Sequence, residues 1–189
     1  MFARNCVLQV DNTLKKYLLR QYDPKLFSSS YPRVFTHKMA SSSGSSFSGP
    51  TVWSQTVVSI KSKKRGIHLI TDELTSIPEL KKYKVGLVNL CIQHTSASLS
   101  LNESWDPTVR DDMEMMLNRL APESAPYTHT MEGRDDMPAH VKTSLMGASL
   151  TVPITSGKLN LGTWQGIWLC EHRDRGSSRN IVVTIQGVQ

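Results

Sequence analysis

The sequence predicts an α+β protein made mainly of antiparallel β-strands, with two or three short helices. In the last forty residues, β-rich segments are separated by tight turns at Ser156-Gly157 and around Gly176, a pattern typical of antiparallel hairpins. Two further segments carry helix start signals. Strands and helices do not alternate as βαβ units, which excludes a doubly wound sheet and a (β/α)₈ barrel.

The first half of the folded region combines strands with one interrupted helix. Polar and apolar residues alternate over residues 94–101, as expected for a half-buried strand. A helix is predicted over residues 71–83, starting at Thr71 or Asp72 and disturbed by Pro78. Strands are predicted over residues 51–62, 66–70, 85–101 (one long strand or a pair), 148–154, 158–161, 166–173 and 179–186.

Two helices are predicted in the middle of the chain. The first begins at Asp106-Pro107, an N-cap followed by proline at the first helical position, and ends at Ala121-Pro122. Its apolar residues recur at helical spacing and predict one buried face. These residues are Val109, Met113, Met116, Leu117 and Leu120. The second helix is predicted over residues 136–146, with Asp136 as its cap and Gly147 closing it.

The chain divides by composition into a leader and one domain. Residues 1–50 hold seven Lys and Arg against two Asp and end in a Ser-rich run, whereas residues 51–189 hold fifteen against fourteen acidic residues. The leader is typical of a disordered linker or an organelle transit segment, or else translation starts at Met39. We expect an intracellular protein, in a plastid or mitochondrion if the leader is a transit peptide and otherwise in the cytoplasm.

The net charge of the domain and the spacing of the cysteines argue against several classes of function. The nearly neutral domain argues against a nucleic-acid partner, and its one basic run, at residues 61–65, is interpreted as a solvated turn. No apolar run is long enough for a membrane helix. Cys6, Cys91 and Cys170 lack metal-binding spacing and indicate a reducing compartment.

The segment Glu132-Gly-Arg-Asp-Asp-Met-Pro-Ala-His140 concentrates three carboxylates, an arginine and a histidine in nine residues. His129 lies just upstream, and His94 begins the alternating strand. Imidazole is the commonest protein metal ligand, so His94, His129 and His140 could form a three-histidine site with an open position. Alternatively, the three histidines are hydrogen-bonded separately.

Other polar residues could complete such a site. Glu103 and Asp136 are candidates for general acid or base, or for partners that orient a histidine. Arg134 and Arg173 could hold a phosphate, because guanidinium binds phosphate in a bidentate manner. Thr163 and Gln165 lie in a polar, aromatic turn between glycines that would let the backbone approach a ligand.

These residues lie in segments that resemble the YjbQ family. The matching segments are Arg65-Gly-Ile-His-Leu-Ile-Thr-Asp-Glu73, Gln93-His-Thr-Ser-Ala-Ser-Leu99, Asn102-Glu103 with Asp106-Pro107, the acidic segment at 132–140, Leu161-Gly-Thr-Trp-Gln-Gly-Ile167 and Glu171-His-Arg173. The resemblance covers residues from about 53 to 188 and omits the leader.

The resemblance implies a sandwich of antiparallel sheets and a homotrimer with clefts between subunits. It also implies a secondary thiamine-phosphate synthase activity, in which a pyrimidine methyl diphosphate and a thiazole phosphate form thiamine phosphate and pyrophosphate. We therefore expect a metal-assisted transferase using zinc or magnesium at His94, His129 and His140. Glu103, Asp136 and Arg173 are the expected catalytic residues. The expected substrate contacts are Ser96, Asn102, Arg134, Thr163 and Gln165.

Two alternatives remain open. The protein could be a metal-dependent hydrolase of a small metabolite, or a trimer that binds a metabolite without transforming it. A diphosphate leaving group requires charge neutralisation more than it requires a nucleophile. The sequence contains no recognisable nucleophile motif, which keeps the non-catalytic alternative open.

Overall fold

The computed structural model describes residues 44–189, which contain eight strands and three α-helices with one 3₁₀ helix between the first two. The strands are β1 (Val52–Ile60), β2 (Gly66–Leu69), β3 (Val85–Ile92), β4 (Ala97–Glu103), β5 (Ser149–Thr155), β6 (Lys158–Leu159), β7 (Gln165–Glu171) and β8 (Arg179–Val188). The α-helices are α1 (Thr71–Thr75), α2 (Pro107–Leu120) and α3 (Asp136–Met146), and the 3₁₀ helix is Pro78–Lys82. The predictions for the leader, including those for Cys6 and Met39, concern mainly residues 1–43, which lie outside the described residues.

The strands form two antiparallel sheets, which confirms the predicted α+β class. A five-stranded sheet has the order β1-β8-β3-β5-β6, and a three-stranded sheet has the order β2-β7-β4. Every strand pairing is antiparallel. Because β3 and β4 belong to different sheets, the apolar and alternating halves of residues 85–101 form a pair of strands.

The main hydrophobic core lies between the two sheets. Val88, Leu90 and Val183 from the large sheet meet Ile167 and Leu169 from the small sheet. Successive residues of a strand point to opposite faces, so Trp168 and Cys170 on β7 face the other way. There they pack with Leu117 of α2 in a second cluster. The fold is therefore layered as large sheet, small sheet and helices.

The predicted helix over residues 71–83 is wrong as a single element. It is divided into α1 and the 3₁₀ helix, with Ile77 between them in an extended conformation. A residue before proline is disfavoured in the α region, and proline cannot donate the backbone hydrogen bond that would continue the helix. Pro78 thus starts a new helix here instead of bending one.

The start of α2 is confirmed, but its predicted apolar face is only partly correct. Asp106 caps the helix by accepting a hydrogen bond from the Thr108 backbone N–H at 2.8 Å. Leu117 is buried, with Val109 and Met113 beside it. Two predicted members of that face, Met116 and Leu120, are exposed. Val109, Met113 and Leu117 are spaced at i, i+4 and i+8 and form the packed face of the helix. Met116 and Leu120 lie beside this face and remain exposed.

The basic run at residues 61–65 contains one anchored residue, which the prediction of a solvated turn missed. Arg65 forms ion pairs with Glu114 and Glu123, at 3.1 and 2.6 Å, and with Asp174 at 3.1 Å. It thereby ties β2 to α2 and to the turn after β7. Within residues 44–189, no helix is long and apolar enough to cross a membrane.

Candidate functional site

Three side chains from the acidic segment and the loop before it meet at the start of α3. Asp136 Oδ2 lies 2.9 Å from His129 Nε2 and 3.3 Å from His140 Nε2. One donor atom from each residue can be chosen so that all three lie within 4.8 Å of one another. The His-Asp-His cluster could therefore hold a metal ion.

Helix geometry explains two of the three positions. Asp136 and His140 are four residues apart on α3 and so share one helix face. The prediction that Asp136 caps this helix is wrong. Asp135 occupies the N-cap position, without a side-chain capping bond, and Asp136 is the first helical residue. Its buried carboxylate is free to bind side chains instead of the helix backbone.

Arg173 holds this carboxylate in place. Its Nη1 binds Asp136 Oδ1, its Nε donates to Asp135 Oδ2 at 2.9 Å, and its Nη2 donates to the Glu132 carbonyl at 2.6 Å. One oxygen of Asp136 is therefore committed to Arg173, and the other faces His129 and His140. Arg173 orients the cluster in this arrangement, and its guanidinium is already engaged.

The charge balance around Arg173 is negative. Glu132, Asp135 and Asp136 place three carboxylates against this one guanidinium. Burial by itself would raise the pKa of Asp135, but the Asp174 N–H and Arg173 outweigh it and hold that pKa below its usual value. Burial would lower the pKa of Arg173, and the same carboxylates raise it instead. Three carboxylates thus share one guanidinium at the start of α3.

The tautomer of His140 determines which of its nitrogen lone pairs faces Asp136. Its Nδ1 lies 3.0 Å from the Thr95 carbonyl oxygen, which can only accept, so Nδ1 carries a proton. In the neutral ring, the lone pair of Nε2 then faces the acceptor Asp136 Oδ2. Two acceptors at that separation repel each other unless a cation, either a proton on Nε2 or a metal ion, lies between them. A histidine that donates its other nitrogen to a carbonyl is also typical of metal ligands.

His94 does not belong to this cluster. Its Nδ1 accepts the Ser96 backbone N–H at 3.0 Å, so a neutral ring carries its proton on Nε2 and offers no free lone pair. Burial, with help from nearby Arg179, lowers the pKa of His94 and favours that neutral form. The third member of the cluster is therefore Asp136, and His94 lies outside the group of side chains that meet at the start of α3.

Arg134 lies at the surface beside His129. It is exposed and lines a cavity of about 270 Å³ together with His129 and Tyr127. Among residues 44–189 its guanidinium forms no ion pair or hydrogen bond. Arg134 therefore remains available to an anion, in contrast to Arg173.

The remaining predicted site residues lie elsewhere in this chain. Asn102 and Glu103 end β4, whose seven residues span about 20 Å from the end next to Thr95 and His94. Thr163 and Gln165 are near them, because β4 and β7 pair with Glu103 opposite Gln165. Gln165 accepts the Gly162 N–H at 2.8 Å, which shapes its own turn. Within one chain, the predicted site residues therefore form two groups at opposite ends of the small sheet.

Ser96 follows Thr95 near the cluster, and its backbone is engaged on both sides. It is buried, and its carbonyl accepts the His172 N–H at 3.3 Å while its own N–H binds His94. His172 is also buried, with Nε2 at 2.8 Å from Ser98 Oγ. Burial lowers the pKa of His172 to about 3, so its ring is neutral near pH 7.

Sequence reasoning missed the burial of three charged residues, which are Arg179, Glu171 and Lys142. Arg179 binds Glu171 through two bonds, at 2.6 and 2.7 Å, and Glu171 also accepts the Arg173 N–H at 3.0 Å. Lys142 of α3 is buried and donates to Asn118 at 2.5 Å. Charged residues flank the ends of β7 and β8 in the sequence, but nothing in that pattern reveals that they face inward.

Comparison with known proteins identifies the family. The family model of UPF0047 protein YjbQ-like proteins matches residues 56–188. The chain belongs to the YjbQ family. UPF0047 protein YjbQ of Escherichia coli O157:H7 is 50% identical over 137 residues, covering 72% of this chain and 99% of the relative. A UPF0047 protein of Synechocystis sp. is 37% identical, over 70% of this chain and 91% of the relative.

Solved structures of YjbQ relatives share the fold. An uncharacterised YjbQ/UPF0047 family protein from Clostridium acetobutylicum superposes with a TM-score of 0.62 at 34% identity, covering 69% of this chain and 98% of that chain. A YbjQ-like protein of unknown function from Sulfolobus solfataricus gives a TM-score of 0.66 at 25% identity, over 73% and 99%. These relatives confirm the fold predicted from the resemblance.

Proposed function

We propose that this protein is a metal-assisted transferase acting on phosphorylated heterocycles, with the ion held by His129, Asp136 and His140. The observation that carries the proposal is the pair of acceptor atoms, His140 Nε2 and Asp136 Oδ2, facing each other at 3.3 Å beside His129. A divalent cation bound between these atoms would resolve that conflict, as a proton on Nε2 also would.

The donor set favours zinc over magnesium. Magnesium prefers oxygen ligands in octahedral geometry, whereas imidazole nitrogen suits zinc. Two histidines and one carboxylate are three protein ligands, the number found in catalytic zinc sites that keep a position open for water or substrate. His129 and His140 are partly accessible, so a substrate could reach such an ion.

The family resemblance suggests the reaction. The bond between the pyrimidine methylene carbon and the diphosphate oxygen breaks, a bond forms from that carbon to the thiazole nitrogen, and pyrophosphate leaves. A bound metal ion would supply a Lewis acid that neutralises the departing diphosphate. Arg134 would bind the same anion, and the Nε2–H of His94 would donate a hydrogen bond to it. No strong nucleophile from the protein is required.

We also propose that the protein assembles as a homotrimer, as the resemblance implies. The outer face of the large sheet exposes Trp53, Val57 and Leu87. Large apolar side chains exposed on an open sheet face are common at interfaces between subunits. Assembly would also offer a means of bringing Glu103 and Gln165 of one subunit towards the cluster of another.

Metal content is the first test. We expect the purified protein to hold about one zinc per chain by elemental analysis, and His140→Ala to lose most of it. His94→Ala is the matched control, since it removes a neighbouring imidazole that is outside the cluster, and it should keep the metal. Equal metal content in wild type and His140→Ala would refute the site.

Turnover is the second test. The pyrimidine methyl diphosphate should release pyrophosphate only when the thiazole phosphate is present. His140→Ala should abolish this release while light scattering still reports a trimer. Release with water alone would identify a hydrolase instead. Binding without turnover in the zinc-loaded protein would identify a non-catalytic metabolite carrier.

A further inference from the structure

A second cavity lies between α1, the 3₁₀ helix and the turn joining β5 to β6. Its volume is about 520 Å³, within the range of small-molecule sites. It shares no lining residue with the His-Asp-His cluster or with the cavity beside Arg134. Nothing in the proposed reaction uses it.

The walls of this cavity are held by backbone contacts. In the β5–β6 turn, Ser156 N–H donates to the Lys84 carbonyl at 2.7 Å and Gly157 N–H donates to the Tyr83 carbonyl at 2.8 Å. Gly157 has a φ of +75°, and a Cβ there would lie 3.1 Å from the Lys81 Cα. The turn is therefore packed tightly against the 3₁₀ helix, and the cavity is formed before any ligand arrives.

The lining combines an apolar floor with hydroxyls and cations. The half-buried Leu159 and Leu161 supply the apolar surface. Thr75 and Ser156 carry hydroxyl groups. Lys81 and Lys158 supply two ammonium groups from different elements. Among residues 44–189, neither ammonium takes part in a hydrogen bond or an ion pair.

The charges near the cavity are mainly positive. Lys82 is exposed beside Lys81, while the ammonium of Lys84 already donates to the Gln189 carbonyl at 3.1 Å. Acidic residues occur on the same helices, at Asp72, Glu73 and Glu79, but no acidic side chain of the described residues lines the cavity. Two unneutralised cations over apolar side chains complement a molecule with an anionic group on an apolar body.

We propose that this cavity binds a small amphipathic anion, with its apolar body against Leu159 and Leu161 and its carboxylate or phosphate between Lys81 and Lys158. Two soluble probes separate the anion sources: phenyl phosphate and benzoate. Benzyl alcohol is the uncharged probe of similar size. The experiment is a titration of the ¹⁵N-labelled full-length chain, followed by backbone amide shifts.

The proposal expects saturable shifts for residues 75–82 and 156–161 with at least one anion. The double variant Lys81→Gln/Lys158→Gln should bind that probe about tenfold more weakly, since each partly exposed charge pair contributes modestly. The matched control, Lys61→Gln, removes an exposed lysine from a distant loop and should bind like wild type. The anion that binds more tightly identifies the head group.

Three outcomes would overturn the proposal. These are shifts that do not saturate, an affinity for benzyl alcohol equal to that for the anions, and equal affinity in the wild type and the double lysine variant. Because both substituted lysines are exposed, the variants should fold, and an unchanged amide spectrum elsewhere will verify this. Loss of the proposed transferase activity would not affect this result, since the two sites share no residue.

Discussion

His172 should make this protein sensitive to acid, and His172→Gln should remove that sensitivity. The ring is fully buried between the small sheet and the helices, with Nε2 bound to Ser98 Oγ at 2.8 Å. Its Nδ1 has no hydrogen-bond partner among the described residues. Burial lowers the pKa of His172 from 6.5 to about 3, and the positive charges of Lys142 and Arg65 add to the effect.

The sign and size of the effect follow from proton linkage. Because the folded-state pKa is depressed, the unfolded chain binds a proton before the folded chain does, so stability falls as the pH falls below about 6.5. With pKa values of 6.5 and about 3, the loss is about 1.4 kcal/mol at pH 5.5 and about 2.7 kcal/mol at pH 4.5. It levels off below about pH 3.

The measurement is urea unfolding by far-ultraviolet circular dichroism at pH 7.0, 5.5 and 4.5, for wild type and for His172→Gln. Glutamine keeps a group that can bind Ser98 and does not titrate. For each protein, the free energy of unfolding at pH 7.0 is the reference value. Only the change in this free energy with pH is compared between wild type and variant. Carboxylates titrate in both proteins, so their contribution cancels in the difference.

The reasoning about His172 is refuted if the two proteins lose the same free energy between pH 7.0 and 4.5. A larger loss in the variant would also refute it, because glutamine cannot take up the proton. If the difference is well below about 1 kcal/mol at pH 4.5, the ring is hydrated in solution, contrary to its burial here.

Two further predictions concern stability. Arg179→Met should lower the free energy of unfolding by about 3–5 kcal/mol, because Glu171 is left buried without its partner, and Glu171→Leu/Arg179→Met should recover most of that loss. Chemical denaturation of the two single variants and the double variant checks this, and additive losses would disprove the coupling. Gly86→Ala should cost about 3 kcal/mol or prevent folding, because its Cβ would lie 2.3 Å from the Gln186 carbonyl oxygen on the paired strand. Gly44→Ala, with open space around its Cβ, is the control, and equal denaturation midpoints would contradict the packing argument.

Local signals in the chain predicted the elements well. Asp106-Pro107 marks the start of α2, and Gly147 follows the end of α3. Strand alternation located β4, but the prediction that this strand is half-buried is wrong, because Ser98 is as buried as Leu99 in the middle layer of the fold. Each signal acts within a few residues, through a capping bond, a permitted φ or the side-chain period of a strand. The error at Pro78 has the same cause. The sequence shows that proline disturbs a helix, but whether the helix bends or ends there depends on the packing around it.

The candidate site was predicted in part. His129, Asp136 and His140 were singled out because they lie close together in the sequence, and α3 together with the loop before it does bring them together in space. Whether His94 joins them depended on the Ser96 N–H that occupies its Nδ1. Such a hydrogen bond has no signature in residue order.

The sequence by itself determined the fold class, the family and the segment that carries the cluster, because these depend on patterns and motifs that are read along the chain. Tertiary structure decided the assignment of β3 and β4 to separate sheets, the engagement of Arg173 by Asp136, and the distance that separates Glu103 from the cluster. These outcomes depend on which distant segments pack together. That packing is determined by the need to bury the apolar faces of all strands and helices at once. The concentration of charged residues in the sequence indicated the segment that carries the candidate site. Packing decided which atoms face each other within it.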